Sequence, residues 1–291
     1  MEQSHKVRQH LLASITIVCW SLAYPLTKVV GGAFDSYSIA TIRAFVAAIA
    51  MLIIAKFLHI RKPFSWKHIG YFALEGAFAF SYYLVFFNKG METLTSATSS
   101  LIFSVTPIFT AIGAWKIFGE KLNPVGWISL GTAFAGVSVL LMWGGTLNIG
   151  IGALWTFAAV LVFSAYNIIN RKLESLGYES MEIITYSICC GAIEMIPFLP
   201  GAIGQVQLAS LSSIVAVIVL ALTGTAISYY TWSKALEYAD KLTEVTNYMF
   251  ISPFVTAILG WIMLGEIPGM GTYVGGAIIM ISVIVFSLKG K

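Results

Sequence analysis

The chain has 291 residues, of which 58% are hydrophobic and 10% are charged, and its mean hydropathy is +0.85. A soluble domain carries about a quarter charged residues, so this composition excludes a single soluble core. A membrane-spanning helix needs about 20 apolar residues and each connection about 2 to 8 more, so the chain has room for about ten spans and little else.

Ten apolar stretches, separated by polar residues, glycine or proline, are predicted to be membrane-spanning helices. In chain order they cover approximately residues 10–30, 37–58, 67–88, 95–118, 124–143, 150–170, 181–199, 211–233, 243–264 and 270–288. The first follows a basic segment and contains no small-residue cleavage site, so we expect a retained helix rather than a removed signal peptide.

The basic residues predict the orientation of these helices. Most of the 17 Lys and Arg residues lie in the connections on the side of the two termini, whereas the other side keeps Lys89 alone. The positive-inside rule therefore predicts cytoplasmic N- and C-termini in the cell (inner) membrane. The net charge of +4 is explained by these loop residues, and no nucleic-acid partner is expected.

The two halves of the chain resemble each other. Pro107 is followed by Thr110, Ala111, Ile112, Trp115, Gly119 and Glu120, and Pro253 is followed at the same spacings by Thr256, Ala257, Ile258, Trp261, Gly265 and Glu266. We therefore divide the chain into two five-helix repeats, residues 1–145 and 146–291. Because five is an odd number, the repeats are predicted to insert in opposite senses, an arrangement that serves alternating access in carriers.

These segments, together with Trp20-Ser21-Leu22-Ala23-Tyr24 in the first half and Phe163-Ser164-Ala165-Tyr166 with Arg171 in the second, resemble the EamA-type carriers of the drug/metabolite transporter superfamily. The resemblance covers nearly the whole chain. It implies an all-α integral membrane protein with ten transmembrane helices in two inverted-topology five-helix repeats. It also implies a central cavity lined mainly by the first four helices of each repeat, and secondary transport, often export. Trp20-Ser21 departs from the common Trp-Gly, and Glu75 and Glu194 lie outside the general pattern of the family.

Glu75 is the ionisable residue nearest the middle of a predicted span, roughly 12 Å from the inner end of its helix at 1.5 Å per residue. A carboxyl at such a depth is costly and indicates a function. Phe78 and Tyr82 follow at helical spacing, and one face with a carboxylate and aromatic rings suits an amine-bearing substrate. Glu75 could instead bind a proton, or pair with Lys28 or Arg43 to hold helices together.

Further candidates are distributed over both halves. Arg43 could pair with Asp35 or Glu75, or bind a substrate carboxylate. Glu194 is a second candidate for proton coupling, or a satisfied structural carboxyl. Matching regions of the first and sixth helices contribute the cavity candidates Trp20, Tyr24, Tyr166 and Asn167.

Two prolines and two glutamates recur at matching places in the halves. Pro107 and Pro253 remove a backbone donor in mid-helix and permit a kink, which serves either gating or packing alone. Glu120 and Glu266 close the fourth and ninth predicted helices, and we interpret them as structural or gate-related.

The sequence lacks the patterns typical of metal-dependent and ATP-driven transport. The four histidines lie near the ends of spans, and the three cysteines lie singly or adjacent within apolar runs. Neither arrangement predicts an intramembrane metal cluster. Without a P-loop, ATP-driven pumping is not expected, and we expect no metal or other cofactor.

The sequence thus favours a secondary-active transporter, not an enzyme, for a small polar or amphipathic metabolite. An amino acid or related amine is the leading substrate class, with export and proton coupling at Glu75. One alternative is an importer of a choline-like organic cation, and another class is an integral-membrane lipid flippase or enzyme. The expected partners are a small-molecule substrate and the lipid bilayer, and glycines on the fifth and tenth helices would also permit a homodimer.

Overall fold

The computed structural model describes residues 2–58, 60, 62–119, 123–143 and 150–289. These residues form helices and turns, with no strand among them. We number ten helical segments in chain order: α1 Glu2–Gly31, α2 Ser36–Leu58, α3 Trp66–Met91, α4 Ser96–Phe118, α5 Pro124–Met142, α6 Ile151–Ser175, α7 Ser180–Glu194 with Ile196–Leu208, α8 Leu211–Glu237, α9 Glu244–Leu264 and α10 Met270–Lys289.

Most of these segments are long and apolar enough to cross a membrane. Seven meet that criterion within the described residues, namely α1, α2, α3, α4, α6, α8 and α9. The two pieces of α7 are bent by 48° and make an eighth if they form one span, while α5 and α10 contain shorter apolar helices, Pro124–Leu140 and Met270–Phe286. The prediction of ten spans is therefore supported for seven or eight segments and stays a prediction for α5 and α10.

Two of the long helices contain a π-helical turn. Ala77–Ser81 forms one in α3, and Leu222–Ile227 forms one in α8. A π turn accommodates one more residue than an α turn and is frequent at functional sites. The side chains that follow each turn therefore face a different direction from the one that an uninterrupted helix would give them.

Helices α4 and α9 end in the same way, with a glycine in the left-handed conformation. Gly119 follows α4 with φ +74°, and Gly265 follows α9 with φ +65°. Glycine adopts this left-handed conformation without the clash that a Cβ causes, and it ends the helix there. These glycines belong to the sequence repeat, whereas its residue Glu120 lies outside the described residues.

Each helix of the first half packs mainly on helices of the second. Helix α1 contacts α8 and α9, and α6 contacts α3 and α4. Helix α2 lies against α7 and α8, α3 against α7, α4 against α9, and α5 against α10. Each contact recurs when every helix is replaced by the helix five places away in the chain, so that α1 stands for α6, α2 for α7 and so on. The two halves therefore interlock rather than sit side by side.

Glycines bring the helices of the two halves close together. A Cβ on Gly76 in α3 would lie 2.6 Å from the carbonyl oxygen of Ser187 in α7. A Cβ on Gly136 in α5 would lie 2.8 Å from Ile279 Cγ1 in α10, and one on Gly275 would lie 2.5 Å from Leu140 Cβ. The contact between α5 and α10 is thus made inside the chain, so these glycines no longer argue for a homodimer.

Candidate functional site

Aromatic side chains fill the centre of the molecule. The ring centroid of Trp20 lies 5.3 Å from that of Phe163, 5.6 Å from Tyr229 and 4.8 Å from Trp232. We call the buried set, drawn from α1, α3, α4, α6 and α8, the central aromatic cluster: Trp20, Tyr83, Phe103, Phe163, Tyr166, Tyr229 and Trp232. The cluster closes the path between the two ends of the helices.

A small cavity lies beside this cluster, between α1, α2, α3, α4 and α9. Its volume is about 10 Å³, close to the smallest that holds one water molecule. The residues around it that carry a polar side-chain atom are Trp20, Tyr24, Arg43, Tyr83, Ser100, Ser104 and Ser252. A metabolite therefore enters only if the surrounding helices move apart.

Arg43 is buried without a counter-charge. Its side chain is 1% exposed. Nε donates to Thr225 Oγ1 at 3.0 Å and Nη2 donates to the carbonyl oxygen of Gly224 at 3.0 Å, both in the π turn of α8. Nη1 has no hydrogen-bond partner, and no carboxylate in the described part of the chain forms an ion pair with Arg43. The expected pairing with Asp35 or Glu75 is not formed.

The indole of Trp20 adds a second unpartnered donor. Its Nε1 atom is buried and has no hydrogen-bond partner among the described residues. Trp20 and Arg43 both line the small cavity, so two of the residues around it each carry a buried N–H group without an acceptor in this part of the chain. An anionic group is the ligand that such a pair of donors fits best.

Glu75 is fully buried among neutral donors. Oε1 accepts from Asn170 Nδ2 at 2.8 Å and Oε2 accepts from Ser187 Oγ at 2.8 Å. Asn170 Nδ2 also donates to Ser233 Oγ at 3.1 Å, so the network joins α3, α6, α7 and α8. A buried carboxyl with neutral partners alone is stable only with a proton or with a bound cation.

The expected aromatic face of α3 is not formed. Tyr82 is 53% exposed and stacks on Phe86 at the outside of the helix, and Phe78 is half-buried. Because the π turn at Ala77–Ser81 inserts one residue, Tyr83 and Phe87 take the inward positions instead. The prediction that Tyr82 lies with Glu75 on one face was therefore wrong by one residue.

The other predicted residues lie in several places. Tyr24 lines the small cavity, with its ring 5.0 Å from that of Phe87. Asn167 is satisfied, since Oδ1 accepts from Trp232 Nε1 at 2.9 Å, and the hydroxyl of Tyr166 is buried without a partner. Glu194 is half-buried and accepts from Ser81 Oγ at 2.6 Å. Trp20, Tyr24 and Arg43 are thus brought together, while Glu75 and Glu194 lie apart from them.

Pro107 and Pro253 occupy the same place in their helices. Each stands in the first turn of a helical piece, Thr106–Phe118 or Ser252–Leu264, directly after an irregular turn. Proline is tolerated there because the first N–H groups of a helix have no partner to lose. The irregularity therefore precedes each proline rather than following it.

Two larger cavities lie at opposite ends of the helices. One of about 500 Å³, the α1–α3 vestibule, is lined by charged and amide side chains: Lys28, Asp35, Asn88 and Glu92. The other of about 480 Å³, the α6–α8 vestibule, is lined by Arg171, Glu174, Tyr178 and Glu237. The central aromatic cluster separates them.

Matching polar contacts border the vestibules. In each, a glutamate at the end of a helix accepts from the lysine three residues before it and from the serine that begins a neighbouring helix. The contacts are Lys89 to Glu92 at 2.8 Å with Ser36 to Glu92 at 2.7 Å, and Lys234 to Glu237 at 2.5 Å with Ser180 to Glu237 at 2.5 Å. The two halves thus use one local arrangement at opposite ends.

An ion pair closes α1 against α9 beside the α1–α3 vestibule. Lys28 Nζ donates to Glu266 Oε1 at 2.7 Å, and the backbone N–H of Ser96 donates to Glu266 Oε2 at 2.8 Å. One carboxylate thus joins the end of α1, the start of α4 and the end of α9. Lys28 is therefore held in place rather than extended freely into solvent.

Several residues of the site were missed by sequence reasoning. Four of them contact predicted residues directly, namely Ser187, Thr225, Tyr229 and Trp232. The fifth is Tyr83, which lines the same cavity as Trp20 and Arg43. For Tyr83, Tyr229 and Trp232 the sequence offers one signal, which is that they are aromatic residues within α3 and α8. In a helix that is apolar all round, periodicity does not separate an inward ring from a ring that faces lipid.

A chain of apolar helices with a closed polar and aromatic centre has the architecture of a multi-pass membrane protein. The sequence profile of the EamA-like transporter family matches residues 8–142 and again residues 150–288, and the chain belongs to this family. It is a membrane transporter and not an enzyme.

Curated relatives agree with this assignment, and a solved structure has the same fold. The chain is 27% identical over 267 residues to a protein of Streptantibioticus cattleyicolor named a probable terminal-alkyne amino-acid exporter, covering 91% of this chain and 88% of that protein. It is 25% identical to a protein of Bacillus subtilis named uncharacterized transporter YdfC, covering 91% of this chain and 86% of that protein. A crystal structure of a protein that is 17% identical superposes with a TM-score of 0.66 over 97% of each chain, which supports the fold alone.

Proposed function

We propose that this protein is a secondary-active exporter of an amino acid or a related amine, located in the cell membrane with both termini in the cytoplasm. The observation that carries the proposal is the buried, unpaired guanidinium of Arg43 beside the central cavity. A relative over most of the chain carries the name of a probable amino-acid exporter, which agrees with this substrate class.

In this proposal Arg43 binds the carboxylate of the substrate. Arg43 and Trp20 both line the cavity, and Arg43 Nη1 and Trp20 Nε1 are buried donors without an acceptor among the described residues. A carboxylate accepts from both and neutralises the buried charge, so binding removes a cost that the empty site carries. The faces of Trp20 and Tyr24 at the same cavity suit an ammonium group through cation–π attraction.

Glu75 has a separate role, which is to exchange protons. Along α3 it precedes Tyr83, which lines the cavity, by eight residues, or about 12 Å at 1.5 Å per residue. That distance greatly exceeds the separation of the two charges in an α-amino acid, so Glu75 and Arg43 do not hold the same molecule in the closed conformation. Proton binding at Glu75 agrees with the neutral hydrogen-bond donors around it. Glu194, on α7, which packs against α3, is a second candidate for proton exchange.

Transport proceeds by alternating access between two inverted repeats, residues 1–145 and 146–291. The exchange-symmetric packing of the helices, the paired π turns and the two matches to the family profile support this arrangement. The central aromatic cluster closes both paths in the conformation described. The irregular turns before Pro107 and Pro253 are bending points at which either vestibule opens to the centre.

The proposal is tested by flux into proteoliposomes that contain the pure protein. A radiolabelled mixture of amino acids and primary amines is offered, and uptake is compared among the native chain, Arg43→Gln and Arg43→Lys. We expect saturable uptake by the native chain, loss with Arg43→Gln and partial retention with Arg43→Lys. No uptake of any amino acid or amine by the native chain contradicts the proposal, and uptake only of amines without a carboxylate contradicts the role of Arg43.

A second candidate is the import of a choline-like organic cation, which the aromatic cluster favours. It predicts that quaternary ammonium compounds raise the thermal unfolding midpoint and compete for uptake. Under this alternative, uptake survives Arg43→Gln because a permanent cation gains nothing from a guanidinium. The same set of variants therefore separates the two candidates.

A further inference from the structure

The hydrogen bonds around Glu75 continue toward the α6–α8 vestibule between α6 and α8. Asn170 Nδ2 donates both to Glu75 Oε1 at 2.8 Å and to Ser233 Oγ at 3.1 Å. Four residues further along the same two helices stand Glu174 and Glu237, and both line the vestibule. Residues four apart lie on one face of a helix. We call Asn170, Ser233, Glu174 and Glu237 the polar seam.

Glu174 connects the polar seam to the vestibule, a cavity of about 480 Å³. Its side chain is 9% exposed, and Oε2 accepts from Arg171 Nη1 at 3.2 Å. Oε1 is buried and has no hydrogen-bond partner among the described residues. Glu174 therefore borders the vestibule and has one carboxyl oxygen that no donor engages.

Glu174 lies one helical turn from the residue that binds Glu75. Asn170 precedes it by four residues, or about 6 Å along the axis of α6. Helix side chains lean toward the N-terminus of their helix, and in α6 this direction leads from Glu174 to Asn170. The charges of Glu174 and Glu75 interact with each other. A separation of this order is crossed by a proton through one intervening water molecule.

The other half of the chain lacks this pair of carboxyls at the matching positions. When Lys28 of α1 is aligned with Arg171 of α6, Gly31 takes the place of Glu174. Leu220 of α8 takes the place that the buried glutamate has in α3. The repeated fold therefore does not require the pair, and its presence at one end needs a functional explanation.

We propose that Glu174 transfers protons between Glu75 and the α6–α8 vestibule. Protonated Glu75 gives its proton to an intervening water, this water gives one to the Glu174 carboxylate, and Glu174 gives it to water in the vestibule. The net change is one carboxylate left at Glu75 and one hydronium ion formed, and proton uptake is the reverse. The proposal rests on the proposed function, in which Glu75 exchanges the coupling proton.

The surroundings of Glu174 suit a group that both gains and loses a proton, because they carry charges of both signs. The charged and titratable neighbours are Arg171 on α6, Lys234 and Glu237 on α8, Glu75 on α3, and Tyr178 and Glu179 at the vestibule.

Deuterium exchange of the Glu75 proton tests the transfer without any substrate. The infrared C=O stretching band of a protonated carboxyl shifts when deuterium replaces the proton. The purified protein is moved from H₂O to D₂O, and the Glu75 band is obtained as the difference from the same chain carrying Glu75→Gln. We expect Glu174→Gln to slow the shift of this band by at least about tenfold.

Further variants assign the effect to the carboxyl of Glu174. Glu174→Asp keeps a carboxyl and is expected to restore most of the native exchange rate. Glu179→Gln removes a negative charge from the same vestibule outside the polar seam, and it is the matched control that exchanges at the native rate. If Glu174→Gln does not fold, Glu174→Met replaces it, because methionine has a similar length and no titratable group.

Transport supplies a readout that a structural role would not give. In proteoliposomes, Glu174→Gln is expected to lower uptake driven by a pH gradient several-fold, while counterflow of substrate keeps the native rate. Loss of counterflow together with gradient-driven uptake indicates a structural role and overturns the inference. An equal slowing of deuterium exchange in Glu179→Gln also overturns it, because the charge of the vestibule would then be the cause.

The inference and the proposed function fail separately. A native chain without a Glu75 band contradicts proton binding at Glu75, which belongs to the proposed function. A Glu75 band that shifts as fast in Glu174→Gln as in the native chain removes Glu174 from the path and leaves the role of Glu75 standing.

Discussion

At the scale of single residues, the two buried ionisable side chains of the centre, Arg43 and Glu75, need different partners to be stable. Arg43 lacks an anion and lies at the cavity, whereas Glu75 has two hydrogen bonds from neutral groups and lies about eight residues away along α3 from the cavity-lining Tyr83. A secondary transporter needs one group that recognises the substrate and one that responds to the driving ion. We assign these tasks to Arg43 and Glu75 respectively.

The substitution Glu75→Gln tests whether proton coupling can be lost while substrate transport is kept. Glutamine keeps the shape of the side chain but takes up no proton. Its Oε1 accepts from Asn170, and its Nε2 donates to the Ser187 hydroxyl once that hydroxyl turns to accept. We expect uptake driven by a pH gradient to fall to the level without a gradient, while exchange of substrate across the membrane continues. The measurement is uptake with and without the gradient in proteoliposomes, and Glu194→Gln tests the second candidate for proton coupling in the same way. Gradient-driven uptake equal to that of the native chain would remove Glu75 from the coupling mechanism.

Two carboxylates of the α1–α3 vestibule make the stability of this end dependent on pH. Burial raises the pKa of Asp35, but hydrogen bonds from the Ser38 N–H and from Gln205 lower it below its ordinary value of 3.8. Burial likewise raises the pKa of Glu92, but Lys89 and Ser36 lower it below 4.5. Because the folded values are the lower ones, this stabilisation is present above the ordinary values and is lost as the pH falls through the folded values.

Asp35→Asn tests that dependence. We expect the native chain to have the higher thermal unfolding midpoint at pH 6, and the difference from Asp35→Asn to shrink as the pH falls below about 4. Midpoints measured in detergent over this range check the prediction. A difference that grows on acidification has the opposite sign and contradicts it.

At the scale of helices, the positions of the apolar spans were predictable from the sequence. Which side chains of a span face inward was not. The runs of apolar residues placed α2, α4 and α9 within a residue or two, because the apolar content of a segment largely decides whether it enters a bilayer. Helix α1 begins eight residues before the predicted start. The π turns in α3 and α8 depend on how neighbouring helices pack, which no local pattern records. The sequence therefore located Trp20, Tyr24 and Arg43, but chose Tyr82 where Tyr83 faces inward.

The close contact of α3 with α7 rests on Gly76. A Cβ at this position would lie 2.6 Å from the Ser187 carbonyl oxygen and 2.7 Å from the Gly191 N, and both are backbone atoms. Gly76→Ala is expected to lower the free energy of unfolding by about 1 to 3 kcal/mol, because the helices must separate. Since Ser187 binds Glu75, gradient-driven transport should fall as well.

Gly70→Ala is the matched control in the same helix. Nothing lies within 4 Å of its added Cβ, and alanine favours the helix by up to about 1 kcal/mol. Thermal unfolding of both variants in one detergent gives the comparison. A Gly76→Ala variant as stable as Gly70→Ala would contradict the packing that holds Glu75.

At the scale of the whole molecule, the interlocked halves make opening at one end depend on the other. Helices α1 and α6 each pack on two helices of the opposite half, so neither half moves without changing the contacts of the other. Contacts at the α1–α3 end that join different halves, such as Lys28 with Glu266, must break when that vestibule opens to the centre. Such contacts set the balance between the conformations.

Glu266→Gln is expected to open the α1–α3 end. The change removes the charge that holds Lys28, and neutral hydrogen bonds are weaker than charge-assisted ones. In a chain with Cys19, Cys189 and Cys190 replaced by alanine, a cysteine introduced as Tyr24→Cys reports access to the cavity. We expect several-fold faster labelling by a membrane-impermeant maleimide added outside cells.

Lys28→Arg preserves the ion pair and is the control with slow labelling. Equal labelling rates in the Glu266→Gln, Lys28→Arg and otherwise unchanged chains would show that the pair does not hold this end closed. Faster labelling from the cytoplasmic side alone would contradict the proposed orientation of the membrane protein.

The central claim is that Arg43 recognises the carboxylate of an amino-acid substrate, and competition measured by counterflow tests it most directly. Proteoliposomes are loaded with the transported amino acid, and entry of the labelled acid is inhibited by the unlabelled acid or by its amide, which keeps the ammonium and the side chain. We predict that the amide inhibits the native chain about tenfold less well than the acid, and that Arg43→Lys keeps part of this difference. Equal inhibition by acid and amide in the native chain would contradict the claim.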